Sequence, residues 1–121
     1  MSRCILVVED QMDNRQILRD LLGNAGYDLL EAENGAEALT TVARQRPDLI
    51  LMDIQLPVMD GYEATRRIKA DPTLTHVPVI AVTSYALSGD KAKARAAGCD
   101  DFVPKPYSPR QLLAKIRQLL R

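Results

Sequence analysis

The sequence is short of the features that commit a chain to nucleic acid, membranes or the oxidising exterior. It has no tryptophan and 4% aromatic residues, too few for a base-stacking platform. Its acidic and basic residues balance at 16 each, so no net field steers it onto DNA, RNA or an anionic membrane. No apolar run approaches the roughly 20 residues needed to cross a bilayer. Met1-Ser2-Arg3-Cys4 leads straight into a strand-like run, with no signal-peptide pattern. The two cysteines, Cys4 and Cys99, lack metal-ligand spacing and read as reduced small hydrophobes of a cytosolic chain. The single histidine, His76, lies beside Pro78 in a predicted loop and reads as a surface residue.

What is present is a set of short apolar runs that stop abruptly in acid. Ile5-Leu6-Val7-Val8 ends at Glu9-Asp10, and Leu49-Ile50-Leu51-Met52 ends at Asp53. Continuous runs of this length read as buried parallel strands. Ligands of open α/β sheets bind beyond the carboxyl ends of such strands. Carboxylates gathered there repel by ~4 kcal/mol per close pair at an effective dielectric of 20, so the pattern calls for a cation.

At 121 residues the chain is one domain with room for a full core, and strand-like and helix-like patterns alternate along it. A helix with Ile17, Leu18, Leu21, Leu22 and Ala25 on one face follows the first strand, with Asp13 or a neighbour as its cap and Gly26 as its stop. Asp28 to Ala32 reads as the second strand. Asn34-Gly35 opens a helix with Ala38, Leu39, Val42 and Ala43 inward, ending before Pro47. The third strand runs from Leu49 to Asp53, and a loop from Ile54 to Gly61 leads into a helix carrying Tyr62, Thr65 and Ile68 that breaks at Asp71-Pro72. Val79 to Val82 forms the fourth strand, with Thr83 at its end. An alanine-rich, thinly anchored helix from about Leu87 to Ala97 stops at Gly98. Phe102-Val103 forms the fifth strand, at a sheet edge where Pro104 is tolerated. Ser108-Pro109 then opens a last helix burying Leu112, Leu113, Ile116, Leu119 and Leu120. The pattern is (βα)5, which predicts a doubly wound five-stranded parallel sheet.

On that plan Glu9-Asp10, Asp53, Thr83 and Lys105 all reach the carboxyl edge of the sheet. A hydroxyl or a lysine at a strand end is singly unremarkable; an acid pair, a central carboxylate, a hydroxyl and an ammonium converging on one edge are specific. The segments Val7-Val8-Glu9-Asp10, Leu51-Met52-Asp53 through Asp60-Gly61, Ala81-Val82-Thr83, Ala96-Ala97-Gly98-Cys99-Asp100 and Lys105-Pro106 together resemble the receiver domain of two-component response regulators. The likeness extends from the first strand to the last helix. It is nearest to single-domain regulators of the cell-cycle type and to receivers of hybrid histidine kinases.

The resemblance implies a CheY-like, flavodoxin-like strand order 2-1-3-4-5, with residues 1–121 as one receiver domain and no output domain among them. It implies that Asp53 accepts a phosphoryl group from a phosphohistidine on a histidine kinase or histidine phosphotransfer protein. It implies Mg2+ held by Glu9, Asp10, Asp53 and the backbone carbonyl of Gln55, with Thr83 and Lys105 contacting the phosphoryl group. Thr83 and Phe102 become switch residues, acting on a downstream protein through the face of the fourth helix, fifth strand and fifth helix. A cis Lys105-Pro106 bond is also implied. The expected role is signalling in the cytoplasm, with no turnover enzyme activity on other substrates and no direct nucleic-acid or membrane partner; an excised receiver of a hybrid kinase is the alternative. Phe102 stands where many relatives carry Tyr, and Tyr85 is bulky where it could screen the phosphoryl group from water.

Other readings fare worse. A haloacid-dehalogenase-like phosphatase carries a second Asp two residues after its nucleophile, where this chain has Gln55. A flavodoxin-like cofactor carrier is disfavoured because no glycine-rich phosphate cradle follows the first strand. A receiver that no longer takes phosphate usually lacks one of these key residues.

Overall fold

Strands bordered by helices on both sides must be apolar on both faces, and the central strands here are. Ile5–Val8, Leu49–Met52 and Val79–Ala81 are almost wholly shielded from solvent. A computed structural model describes residues 3–83 and 88–120. The elements are β1 (Cys4–Val8), α1 (Met12–Asn24), β2 (Asp28–Ala32), α2 (Gly35–Arg44), β3 (Leu49–Asp53), α3 (Gly61–Ala70), β4 (Val79–Thr83), α4 (Ser88–Ala97), β5 (Asp101–Pro104) and α5 (Pro109–Leu119). The strands are parallel in the order β2-β1-β3-β4-β5, as the resemblance implied, and β5 lies at the edge with Pro104. Lys105-Pro106 is cis.

Period-two alternation divides the core in two. Ile5, Val7, Leu49, Leu51, Ile80 and Val103 face α1 and α5, meeting Leu18, Leu22, Leu112 and Ile116. Leu6, Val8, Ile50, Met52, Val79 and Ala81 face the other helices, meeting Ala38, Val42, Ala64, Ile68 and Ala94. Leu22, Leu112 and Ile116 are fully buried, each contributing about 2 kcal/mol of transfer free energy.

Helix boundaries follow local chemistry. Asn34, Asp60 and Ser108 cap α2, α3 and α5 by accepting the N–H groups of Glu37, Glu63 and Gln111. Gly26 and Gly98 take positive φ after α1 and α4. The first helix departs from expectation: Gln11 is its N-cap residue, without a side-chain capping bond, and Asp13 lies in the first turn instead. The apolar stripe also sits slightly differently. Ile17 is 58% exposed and Ala25 is exposed, because the buried line of α1 runs through positions 15, 18 and 22. Ala43 is exposed at the end of α2, whose buried line runs through Gly35, Ala38 and Val42. Leu113, Leu119 and Leu120 are half-buried. Leu87, expected to begin α4, lies outside the described residues. The described part of α4 is buried through the small side chains of Ala94 and Ala97.

The far end of α4 is tied down. Lys69 Nζ at the end of α3 donates to the carbonyls of Thr75 (3.2 Å) and Val77 (2.7 Å) and to Asp100 Oδ2 (2.9 Å). The same Asp100 oxygen accepts the N–H of Val79 at the start of β4. Cys4 and Cys99 are free; burial pushes the Cys99 thiol up to about 11, which leaves it protonated and unreactive.

Candidate functional site

Alternation decides which groups meet. Val7 pairs with Leu51 and both face α1 and α5. Glu9 and Asp53 lie two residues further on, so they emerge on that face at the carboxyl edge. Lys105, two residues beyond Val103, joins them. The three side chains converge: Lys105 Nζ donates to Glu9 Oε1 at 2.9 Å and to Asp53 Oδ2 at 3.0 Å. Asp53 Oδ1 accepts the N–H of Gln55 at 2.9 Å, and Glu9 Oε2 accepts the N–H of Gln11 at 3.3 Å. Asp10 is exposed at the rim, and one carboxylate oxygen from each of Glu9, Asp10 and Asp53 falls within 4.8 Å of the others.

Burial makes this cluster electrostatically uncomfortable. Glu9 and Asp53 are 3% and 5% exposed. Desolvation raises the Asp53 carboxyl to about 6, against the hydrogen bonds from Gln55 and Lys105 and with the adjacent Glu9 charge adding to the rise. Burial also works on Glu9, but its hydrogen bonds, led by that from Lys105, hold it below its ordinary value. Asp10 is raised chiefly by its hydrogen bond with Glu9. Lys105 stays charged: burial lowers it, and the bonds to Glu9 and Asp53 more than offset that. Three convergent carboxylates with all-oxygen donors suit a hard divalent cation, so the residues present fit Mg2+.

The remaining predicted residues surround this centre. Gln55 is tied to it by its backbone N–H. Thr83 is buried at the end of β4, and its carbonyl accepts the N–H of Lys105 at 2.6 Å. Phe102 pairs with Ala81 and Pro104 with Thr83. Phe102 is therefore the diagonal neighbour of Thr83 on one sheet face, half-buried against the core beneath α4. Tyr85 lies outside the described residues. Gly61 is a second positioning device: a Cβ there would collide with the Asp53 carbonyl oxygen and the Ile54 Cα. Its absence lets the start of α3 press against the backbone that carries Asp53, where Gly61 N donates to Ile54 O at 3.0 Å.

Two features were missed in the sequence. A cleft of about 560 Å3 opens beside the carboxylates between α1 and the β5–α5 loop, reaching Leu18, Leu51 and Tyr107. Arg15 is buried within α1 beneath the acid pair; its spacing from Leu18 and Leu22 was the available signal.

Fold and site together define an open α/β domain with an acidic, lysine-bridged pocket at the carboxyl edge of its central strands. Residues 5–117 match the family model of the response regulator receiver domain, and the chain belongs to that family. It is 42% identical over 120 residues to the polar-differentiation response regulator DivK of Brucella anthropi, covering 99% of this chain and 98% of that protein. The receiver domain of a Pseudomonas aeruginosa sensor histidine kinase, solved with magnesium coordinated in its active-site cleft, superposes with a TM-score of 0.92 at 38% identity, covering 99% of this chain and 98% of that one. The Vibrio cholerae chemotaxis protein CheY4 superposes at 0.93 with 28% identity, covering 99% and 100%. The chain is thus a response regulator receiver domain of two-component signalling. Among the described residues no helix is long and apolar enough to cross a membrane.

Proposed function

We propose that Asp53 is the phosphoacceptor and that the residues around it serve one phosphoryl transfer. The observation that carries this is a buried carboxylate at the end of the central strand, bridged by Lys105 and flanked by Glu9 and Asp10. An Asp53 oxygen attacks the phosphorus of a phosphohistidine on a histidine kinase or phosphotransfer protein. The P–N bond breaks, its electron pair returns to the imidazole, and an acyl phosphate remains on Asp53. Glu9, Asp10, Asp53 and the Gln55 carbonyl would hold Mg2+, which when bound offsets the charge of the transferred group. The magnesium-bound Pseudomonas receiver supports this choice of metal. Lys105 is a compact cation able to turn from the carboxylates to the phosphoryl oxygens, and the Thr83 hydroxyl supplies a donor at the same edge.

Residues 1–121 act here as one receiver unit in the cytoplasm, modified rather than turning over a separate substrate. Thr83 moves toward the phosphoryl group, Phe102 fills the space vacated, and α4 shifts against β5 and α5 to change the surface offered to a downstream protein. Likeness to the Pseudomonas domain supports a second setting, a receiver serving a hybrid kinase, with the same chemistry.

Incubation with Mg2+ and acetyl phosphate tests the assignment. An acid-stable, base-labile phosphoryl mass increase is expected, lost in Asp53→Ala. Its persistence in that variant overturns the reading.

A further inference from the structure

We propose that Arg15 is a positioning residue that sets the turn carrying the acid pair, and so the affinity of the site for its divalent cation. The inference rests on the reading of Glu9, Asp10 and Asp53 as the metal-holding carboxylates.

Glu9 and Asp10 are consecutive. In an extended strand they would point to opposite faces of the sheet. Both offer an oxygen to one cluster, so the backbone must leave strand geometry between them, and β1 does end at Val8. The two carbonyl oxygens of this turn are held by a single atom: Arg15 Nη1 donates to Glu9 O at 2.9 Å and to Asp10 O at 3.2 Å. The guanidinium is held from its other edges by β2 and the residue after it. Its Nε lies 3.4 Å from Glu31 Oε1, and its Nη2 lies 3.4 Å from Glu33 Oε1. Glu31 is fixed in turn by Arg19 at 2.8 Å. One rigid planar fork therefore joins α1, β2 and the β1–α1 turn.

Glu31 and Glu33 pair with the guanidinium, but the apolar stripe of α1 does not itself ask for a charge here. Arg15 is 7% exposed and shares the inward line of α1 with Leu18 and Leu22, where an apolar side chain would complete the stripe. Burying a guanidinium carries a desolvation penalty that pairing must offset, so its presence points to what it holds. The turn also lacks the usual support: Gln11 gives α1 no side-chain cap. Partners that orient metal-holding groups from behind typically alter affinity by 10–100-fold when removed.

The test is calorimetric titration with Mg2+ of the wild type, Arg15→Gln, Arg15→Lys, Glu31→Gln and Glu33→Gln, each alongside its thermal midpoint in EDTA. Arg15→Gln is expected to weaken Mg2+ binding about tenfold. Arg15→Lys, which keeps the charge but loses the planar fork, should weaken it by roughly threefold. Glu31→Gln, which loosens the fork and not the turn itself, should give a smaller loss in the same direction. Glu33→Gln, whose side chain is 62% exposed, should bind like the wild type. A merely structural arginine lowers the midpoint and leaves the affinity alone, so Arg15→Gln binding within about twofold of wild type overturns the inference whatever its stability. If that variant does not fold, equal affinity in Arg15→Lys overturns it. A wild type with no saturable response to Mg2+ overturns the reading of the site, and the inference with it.

Discussion

Lys105 donates to Asp53 Oδ2 across 3.0 Å while holding Glu9 Oε1 at 2.9 Å with the same ammonium. One cation thus offsets two buried carboxylates. Removing it leaves two shielded acids facing each other. Lys105→Met should lower stability by about 1–3 kcal/mol at pH 8 in EDTA, with the loss shrinking as acid neutralises the carboxylates. Phosphorylation by acetyl phosphate should slow at least about tenfold. Chemical denaturation across pH and a mass-spectrometric time course measure the two effects.

Asp53 carries a folded-state pKa of about 6 against an ordinary 3.8. Its neutral form is the one the fold prefers, so its ionisation destabilises the native state as pH rises from about 4 through 6, and the whole penalty is present at neutral pH. Asp53→Asn should therefore be more stable than wild type by about 1–2 kcal/mol at pH 7.5 in EDTA, the loss of the Lys105 bond trimming the gain. The advantage should fade toward pH 4, and saturating Mg2+ should close the gap at pH 7.5. Urea midpoints at the two pH values, with and without Mg2+, decide it.

Gly61 has no room for a side chain above the Asp53 and Ile54 backbone. Gly61→Ala should cost about 1–3 kcal/mol and slow the proposed phosphotransfer, because the forced shift lands on the peptide carrying Asp53. Gly23, which has nothing within 4 Å of a Cβ, is the matched control: Gly23→Ala should be neutral or slightly stabilising on α1. Thermal unfolding of both variants tests the contrast.

Thr83 and Phe102 are diagonal neighbours on one sheet face, which makes the hydroxyl and the ring separable. Thr83→Ala and Phe102→Ala should both accept phosphate on Asp53. In each, the phosphorylation-dependent change in amide shifts over residues 92–102 should shrink by more than half relative to wild type (roughly a threefold smaller coupling). NMR spectra before and after phosphorylation read this directly; an undiminished response in both variants rejects the switch.

The strand plan was legible because buried parallel strands are continuous apolar runs, and the convergence of Glu9, Asp53 and Lys105 was legible because each lies just at or beyond the end of a strand. The face assignment of α1 was less so: Arg15 interrupts the apolar stripe with a charge, so Ile17 was read inward although it is 58% exposed. The cap of α1 misled because the helix begins at Met12, which puts Gln11 at the cap position and Asp13 in the first turn. Helix-end residues such as Leu119 and Leu120 were read as buried because periodicity reports which side a residue faces, not how far the neighbouring layer extends over it. The cleft beside Tyr107 depends on how far α1 stands from the β5–α5 loop, a distance that no local pattern encodes.

In the proposed switch, the three bonds of Lys69 give α4 an identifiable pivot. Its carboxyl end is bolted to α3 and to the start of β4 through Asp100, while its own attachment to the sheet passes through alanines that can slide without opening large voids. Displacement along the described part of the helix should therefore grow with distance from Gly98, as rotation about a fixed end rather than translation. In the proposed switch Lys69, at the opposite end of β4 from the Asp53 edge, would set where that displacement stops. With it replaced by Met, motion would spread into Cys99 and Asp100 instead of being returned to the outer surface.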